Sequence, residues 1–244
     1  MDEVIALRRW REKPAGVGYR RRVIVSTGLR QLCGTRFFKG LLVLGWLAGV
    51  FVAAAGFVFT QTVASGGWLE SWAAGLGPRP HAVVSAACSL VLLYPDICIR
   101  GLFTGLFWFQ STIGLGLSLL ALSALMPRLV ARDRASQALT IYLSRPLTTA
   151  DYLLGKLGII VGVLLLLWTG PLLAGWLLSM AFAPNADFFL YSLVPLLRAL
   201  LYNLIALAVV APIALGVSSL GKSSRSVTAM WIGAWIILGA LANF

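Results

Sequence analysis

Residues 131–156 read ARDRASQALTIYLSRPLTTADYLLGK, a basic, polar island between two long apolar runs that carry no charge. Its local chemistry is a helix, a break and a second helix. Pro146 cannot continue a helix arriving through Tyr142 and Leu143, and Arg145 before it is steered away from helical geometry. Thr148, with Asp151 three residues on, fits a capping box that opens the next helix. Ahead of the break stand three consecutive charges, Arg132, Asp133 and Arg134. An island of this kind marks one face of a bilayer, and the apolar runs beside it are then spans. The fold expected is all-α and polytopic.

Composition agrees. The chain is 59% hydrophobic and only 11% charged, with a mean hydropathy of +0.90, whereas soluble domains carry about 25% charged residues. Five or six spans with short loops use all 244 residues, which leaves no length for a soluble catalytic domain. The +12 net charge is concentrated: ten of the 20 Lys and Arg lie in residues 1–39, five in 128–156, and Lys222 and Arg225 in a third short loop. The positive-inside rule puts those three segments on the cytoplasmic side, the N-terminus included, in a plasma (inner) membrane. Nucleic acid is a poor partner for these cations, because they flank spans and have no aromatic platform among them.

The domains expected are a cytoplasmic basic arm over 1–39 and a membrane domain over 40–244. Residues 20–39 alternate basic and apolar side chains. They read either as an amphipathic helix in the headgroup layer or as an ordinary basic flank. Five spans follow, over about 41–63, 102–126, 157–182, 190–216 and 227–244, each near the 20 residues that a bilayer core takes. Gly45 and Gly49 make a small-xxx-small face, Gly158 and Gly162 another. Pro171 suggests a kink, Pro195 and Pro212 a bend. Trp68, Trp72 and Trp176 fit an outer aromatic belt.

The stretch 81–100 is apolar but too short for a span, and a full span there would put the five-cation island outside. It is read as an external or partly re-entrant helical hairpin, with Pro95-Asp96 ending its apolar part. Asp96 and Arg100, spaced i,i+4, form either an interfacial salt bridge or a substrate contact. Arg198 also has two readings. It snorkels at the outer boundary if the core begins near Ala199. If the span begins near Leu190, it is buried and becomes a contact for an anionic substrate.

Other chemistry is excluded or refused. His81 is the only histidine, and Cys33, Cys88 and Cys98 have no metal-ligand spacing, so no metal or catalytic site is expected. Residues 216–223, GVSSLGKS, match the phosphate-loop pattern G-x-x-x-x-G-K-[ST]. That motif needs a strand before it and a helix after it. Here apolar runs of span length stand on both sides, and no acidic residue follows Asp187 to hold magnesium.

The string Leu143-Ser144-Arg145-Pro146-Leu147-Thr148, followed by Asp151-Tyr152-Leu153-Leu154-Gly155-Lys156, resembles the permease subunits of ABC exporters of the type-2 class. The likeness covers about 25 residues, and the hydropathy layout extends it over most of the chain. Upstream, Gln137-Ala138-Leu139-Thr140 departs from the commoner form, which has a Gly and then Thr-Leu-Glu. The family usually has six spans, against five here. The resemblance implies a membrane subunit without ATPase activity of its own. Its partners would be separate ABC ATPase subunits that bring ATP and magnesium, a second permease copy or homologue, and membrane lipid. It also implies that the island is the coupling loop, with Arg132, Asp133, Arg134, Ser144, Arg145 and Pro146 receiving the ATPase. The competing classes are an ion-coupled secondary carrier and a non-transporting membrane anchor of an assembly.

Overall fold

In the computed structural model the described residues are 16–63, 68–127, 129, 133, 148–183, 186–221 and 223–241, and all regular structure among them is helical. The helices are α1 (Val17–Cys33), α2 (Arg36–Val63), α3 (Trp68–Leu76), α4 (Pro78–Leu93), α5 (Pro95–Met126), α6 (Thr149–Leu164), α7 (Gly170–Ala181), α8 (Ala186–Leu220) and α9 (Ser224–Leu241). A π-helical turn, Leu165–Thr169, joins α6 to α7 without a loop. Four helical stretches are long and apolar enough to cross a membrane: α2, α5, the run from α6 to α7, and α8. In hydrocarbon a helix satisfies its own backbone, which is why such sequences adopt no other form there.

Side-chain register fixes how these four run. Phe51 of α2 meets Phe109 of α5 with ring centroids 5.1 Å apart, and Gly45 lies beside Leu117, so α2 and α5 are antiparallel. Arg100 of α5 sits 5.8 Å over the Tyr191 ring of α8. At the other end Ser218 Oγ donates to the Met126 carbonyl at 2.8 Å, so α5 and α8 are parallel. Two apolar clusters are stacked along this bundle. One holds Leu122, Ile160, Leu167, Trp168, Ala214 and Trp231. The other holds Val52, Phe103, Phe107, Leu172 and Phe188.

The glycine face of α2 is pressed onto the π turn and α7. A Cβ on Gly45 would stand 2.9 Å from the Leu167 carbonyl oxygen, and one on Gly49 2.7 Å from that of Pro171. Gly175 approaches the Gly49 carbonyl just as closely, and Gly56 abuts Ser179. Backbone meets backbone along the seam, as small residues allow between spans. Pro171 has no N–H for the Leu167 carbonyl, and the helix is widened to a π turn immediately before it. The second glycine face has a different partner: Gly155, Gly158 and Gly162 of α6 receive Ile24, Val25 and Leu29 of α1.

Three sequence expectations are corrected. The break in 81–100 falls at Tyr94, and residues 95–100 are the first turns of α5. Pro95-Asp96 starts a helix instead of ending one, because proline suits N1 and a carboxylate suits the first turn. Asp96 and Arg100 form no ion pair among the described residues, since Arg100 turns to Tyr191. Trp176 is no belt residue: it is buried and donates from Nε1 to Ser192 Oγ at 3.0 Å.

Candidate functional site

Where α1 crosses the start of α6, charges gather that sequence separates by up to 130 residues. Thr148 is the N-cap of α6 and accepts from the Asp151 amide at 3.2 Å. In return the Thr148 hydroxyl donates to Asp151 Oδ2 at 2.7 Å. The other carboxylate oxygen, Oδ1, accepts from Nε of Arg21 at 2.8 Å and from its terminal nitrogen as well. A charge-assisted fork of this kind fixes angle as well as distance. One residue thus caps α6 and ties it to α1.

One turn along, Lys156 pairs with Asp133 at 2.8 Å, with 12% and 18% of the two side chains exposed. The Tyr152 hydroxyl donates to the same Asp133 Oδ2 at 2.7 Å, and the Lys156 ammonium lies 5.3 Å from the Tyr152 ring. The resemblance implies that Asp133 meets a soluble partner; in the structure its carboxylate is engaged by Lys156 and Tyr152 of α6. Arg132, Arg134, Ser144, Arg145 and Pro146 lie outside the described residues, as does Lys222.

No family model matches the sequence, and no curated protein and no solved structure matches it either. Function therefore rests on the chain's own chemistry.

The remaining sequence candidates stand along the α5/α8 seam. Arg100 is at its N-terminal end. Arg198 is exposed, and with Thr104, Trp108, Ser111 and Tyr202 it lines a cavity of about 300 Å³. Behind that wall is a polar layer that sequence reading missed. Gln110 is fully buried with both amide atoms unpartnered, and the buried Asn203 reaches only Thr169 Oγ1, at 3.4 Å. Trp168, on the π turn, slots against Gly114. The signal was present in Gln110 and Asn203, amides placed mid-way along spans, where polar side chains are uncommon and functional.

Residues 216–220 of the GVSSLGKS string are the last turn of α8. Their N–H groups are directed back along that helix and not into a cradle, which is what a phosphate loop requires.

Proposed function

We propose that this chain is the membrane subunit of an ATP-driven exporter of the type-2 permease class, in a plasma membrane, with five crossings of which α9 is the fifth. The observation that carries this reading is the island around Ser144-Arg145-Pro146, whose two flanks are clasped together by Asp133, Tyr152 and Lys156. A loop that only held a topological side would need no such clasp. A loop that passes on a push does, because a flexible joint would absorb the displacement.

On this reading ATP-driven closure of a partner ATPase presses on the island. Arg132 and Arg134 make the charge-assisted contacts, and the Pro146 break holds the two helical pieces at a set angle. The Arg21–Asp151 fork then shares the displacement between α1 and α6, and the movement gates the bundle as a rigid body. A secondary carrier comes second. Ion coupling uses a relay of ionisable groups within the spans, and the four long helices offer Arg198 by itself between the level of Lys39 and that of Arg100.

Two experiments test this. Single cysteines at Ser136 and Ser65 should be labelled from opposite sides of sealed membranes, the first from the cytoplasmic side; labelling from one side for both would end the five-crossing arrangement. The second is co-purification and coupled ATPase assay with a candidate ABC ATPase co-expressed with this chain. Arg132→Glu with Arg134→Glu should lower partner recovery several-fold, since each rim charge contributes only about 0.2–1 kcal/mol. Pro146→Ala should keep the partner but uncouple hydrolysis from transport. Unchanged recovery and unchanged transport in both would reduce the island to a basic flank.

A further inference from the structure

Arg198 is placed where a cation needs a counter-charge from outside the chain. The register of the bundle defines a charge-free slab. In α2 it runs from Gly40 to Thr60, in α5 from Gly101 to Met126, and in the α6–α7 run from Leu157 to Ala181. In α8 it is the region beyond Asp187, with Arg198 its sole charge. Tyr191 is level with Arg100 at the slab's edge, and Arg198 is seven residues further in, about 10 Å at the helical rise. Helical side chains lean toward the N-terminus of their helix, so Arg198 is directed back toward the end of the seam where Arg100 stands. Asp96 and Asp187, in the first turns of α5 and α8, are the acids nearest that end in sequence. Neither pairs with Arg198.

The cavity beside Arg198 has the features of a built site. Ser111 is 6% exposed, lines the cavity, and its hydroxyl has no hydrogen-bond partner. Thr104 and Thr112 donate to their own helix, at 2.6 and 2.9 Å, which leaves their oxygens able to accept only. Pro195, also in the lining, has no N–H, so it deprives the Tyr191 carbonyl of its helical donor. Trp108 and Tyr202 are 72% and 50% exposed at the rim, and Leu197, Leu201 and Leu204 beside them face outward. The cavity is reached sideways, from the apolar surface of the bundle.

We infer that this seam holds an anionic membrane lipid, its phosphate between Arg198 and Arg100 and its upper acyl chain in the cavity against Trp108 and Tyr202. The shape fits an amphiphile and not a free anion, because Arg198 stands beside a cavity whose rim and outer surroundings, Trp108, Leu197 and Leu201, are apolar and exposed. A cation at this depth is stabilised by such pairing, and guanidinium–phosphate bonds are among the stronger hydrogen bonds. The site belongs to the chain whether or not an ATPase drives it.

The test uses the full chain in phosphatidylcholine vesicles doped with brominated phosphatidylglycerol or brominated phosphatidylcholine. The signal is the quenching of Trp108, isolated as the difference from Trp108→Phe. In wild type the anionic lipid should quench at about tenfold lower mole fraction than the zwitterionic one. Arg198→Gln should abolish the preference, and Arg198→Lys should retain part of it. Equal quenching by the two lipids in wild type would overturn the proposal. So would relief of quenching by millimolar inorganic phosphate, which would make the ligand a free anion. Cross-linking of two Trp108→Cys chains through that position would overturn it too, by showing a second copy over the seam.

Discussion

Gly49→Val is expected to unseat α2 from α7 and leave the protein largely aggregated on extraction. Even a Cβ at Gly49 would stand 2.7 Å from the Pro171 carbonyl oxygen, and that oxygen belongs to backbone that cannot swing aside. Overpacking typically costs about 1–3 kcal/mol where side chains can move; here two helices must separate, so a loss of at least about 3 kcal/mol is expected. The same separation would empty the contacts at Gly45 and Gly56 that share the seam. Gly105→Ala is the control. It meets nothing within 4 Å and should be neutral or stabilising by up to about 1 kcal/mol, as expected for glycine replaced in a helix. Thermal unfolding in mild detergent, followed by size-exclusion recovery, separates the two. If Gly49→Val melts like wild type, the α2–α7 seam is wrong.

That seam shows what was legible in the sequence and what was not. The spacing of Gly45 and Gly49 declared a packing face, because small residues four apart have one purpose on a span. Nothing local named the partner, which is 122 residues away at the π turn and α7, Leu167 for Gly45 and Pro171 for Gly49. The same holds for Gly158 and Gly162: their face was readable, but its occupant α1 was read as lying in the headgroup layer or as a mere flank. The long helices were legible because length and apolarity decide them almost without tertiary context. The short ones were not. Pro95 reads equally as a stop or a start, and only the fate of the residues beyond it tells which.

For the candidate site the division is sharper. Thr148 and Asp151 announced the start of α6 through their spacing, and the helix begins there. Arg21 could not be foreseen as the second partner of Asp151, since any of the N-terminal arginines would have served equally well in sequence. The Asp133–Lys156 pair was illegible for a related reason. Flanked by Arg132 and Arg134, Asp133 reads as part of an exposed charge cluster, and nothing local marks Lys156 as its partner. The polar layer of Gln110 and Asn203 was overlooked because each is a lone amide in an apolar run, and hydropathy averages erase single residues.

The Asp133–Lys156 clasp gives the second large effect. Lys156→Met should destabilise the chain by about 2–3 kcal/mol, below the 3–5 kcal/mol typical of breaking a fully buried ion pair, because both partners keep some exposure. Asp133→Leu should cost a comparable amount, and it also removes the acceptor of the Tyr152 hydroxyl. Tyr152→Phe keeps the ion pair but removes that hydrogen bond together with the longer one to the Leu129 carbonyl at 3.4 Å, and should cost about 1 kcal/mol. The informative variant is the double one, Asp133→Leu with Lys156→Met. Two apolar side chains of similar bulk avoid the desolvation that the ion pair suffers, so the double variant should recover most of the stability lost by either single one. Unfolding midpoints of the four proteins in one detergent complete the double-mutant cycle. A coupling energy near zero would mean that Asp133 and Lys156 do not act on one another, and the clasp would be withdrawn. A coupling of about 1.5 kcal/mol or more would establish it. On the proposed function, the same double variant separates stability from transmission: a bundle restored to wild-type stability that still stimulates a partner ATPase but transports poorly would assign this pair to coupling.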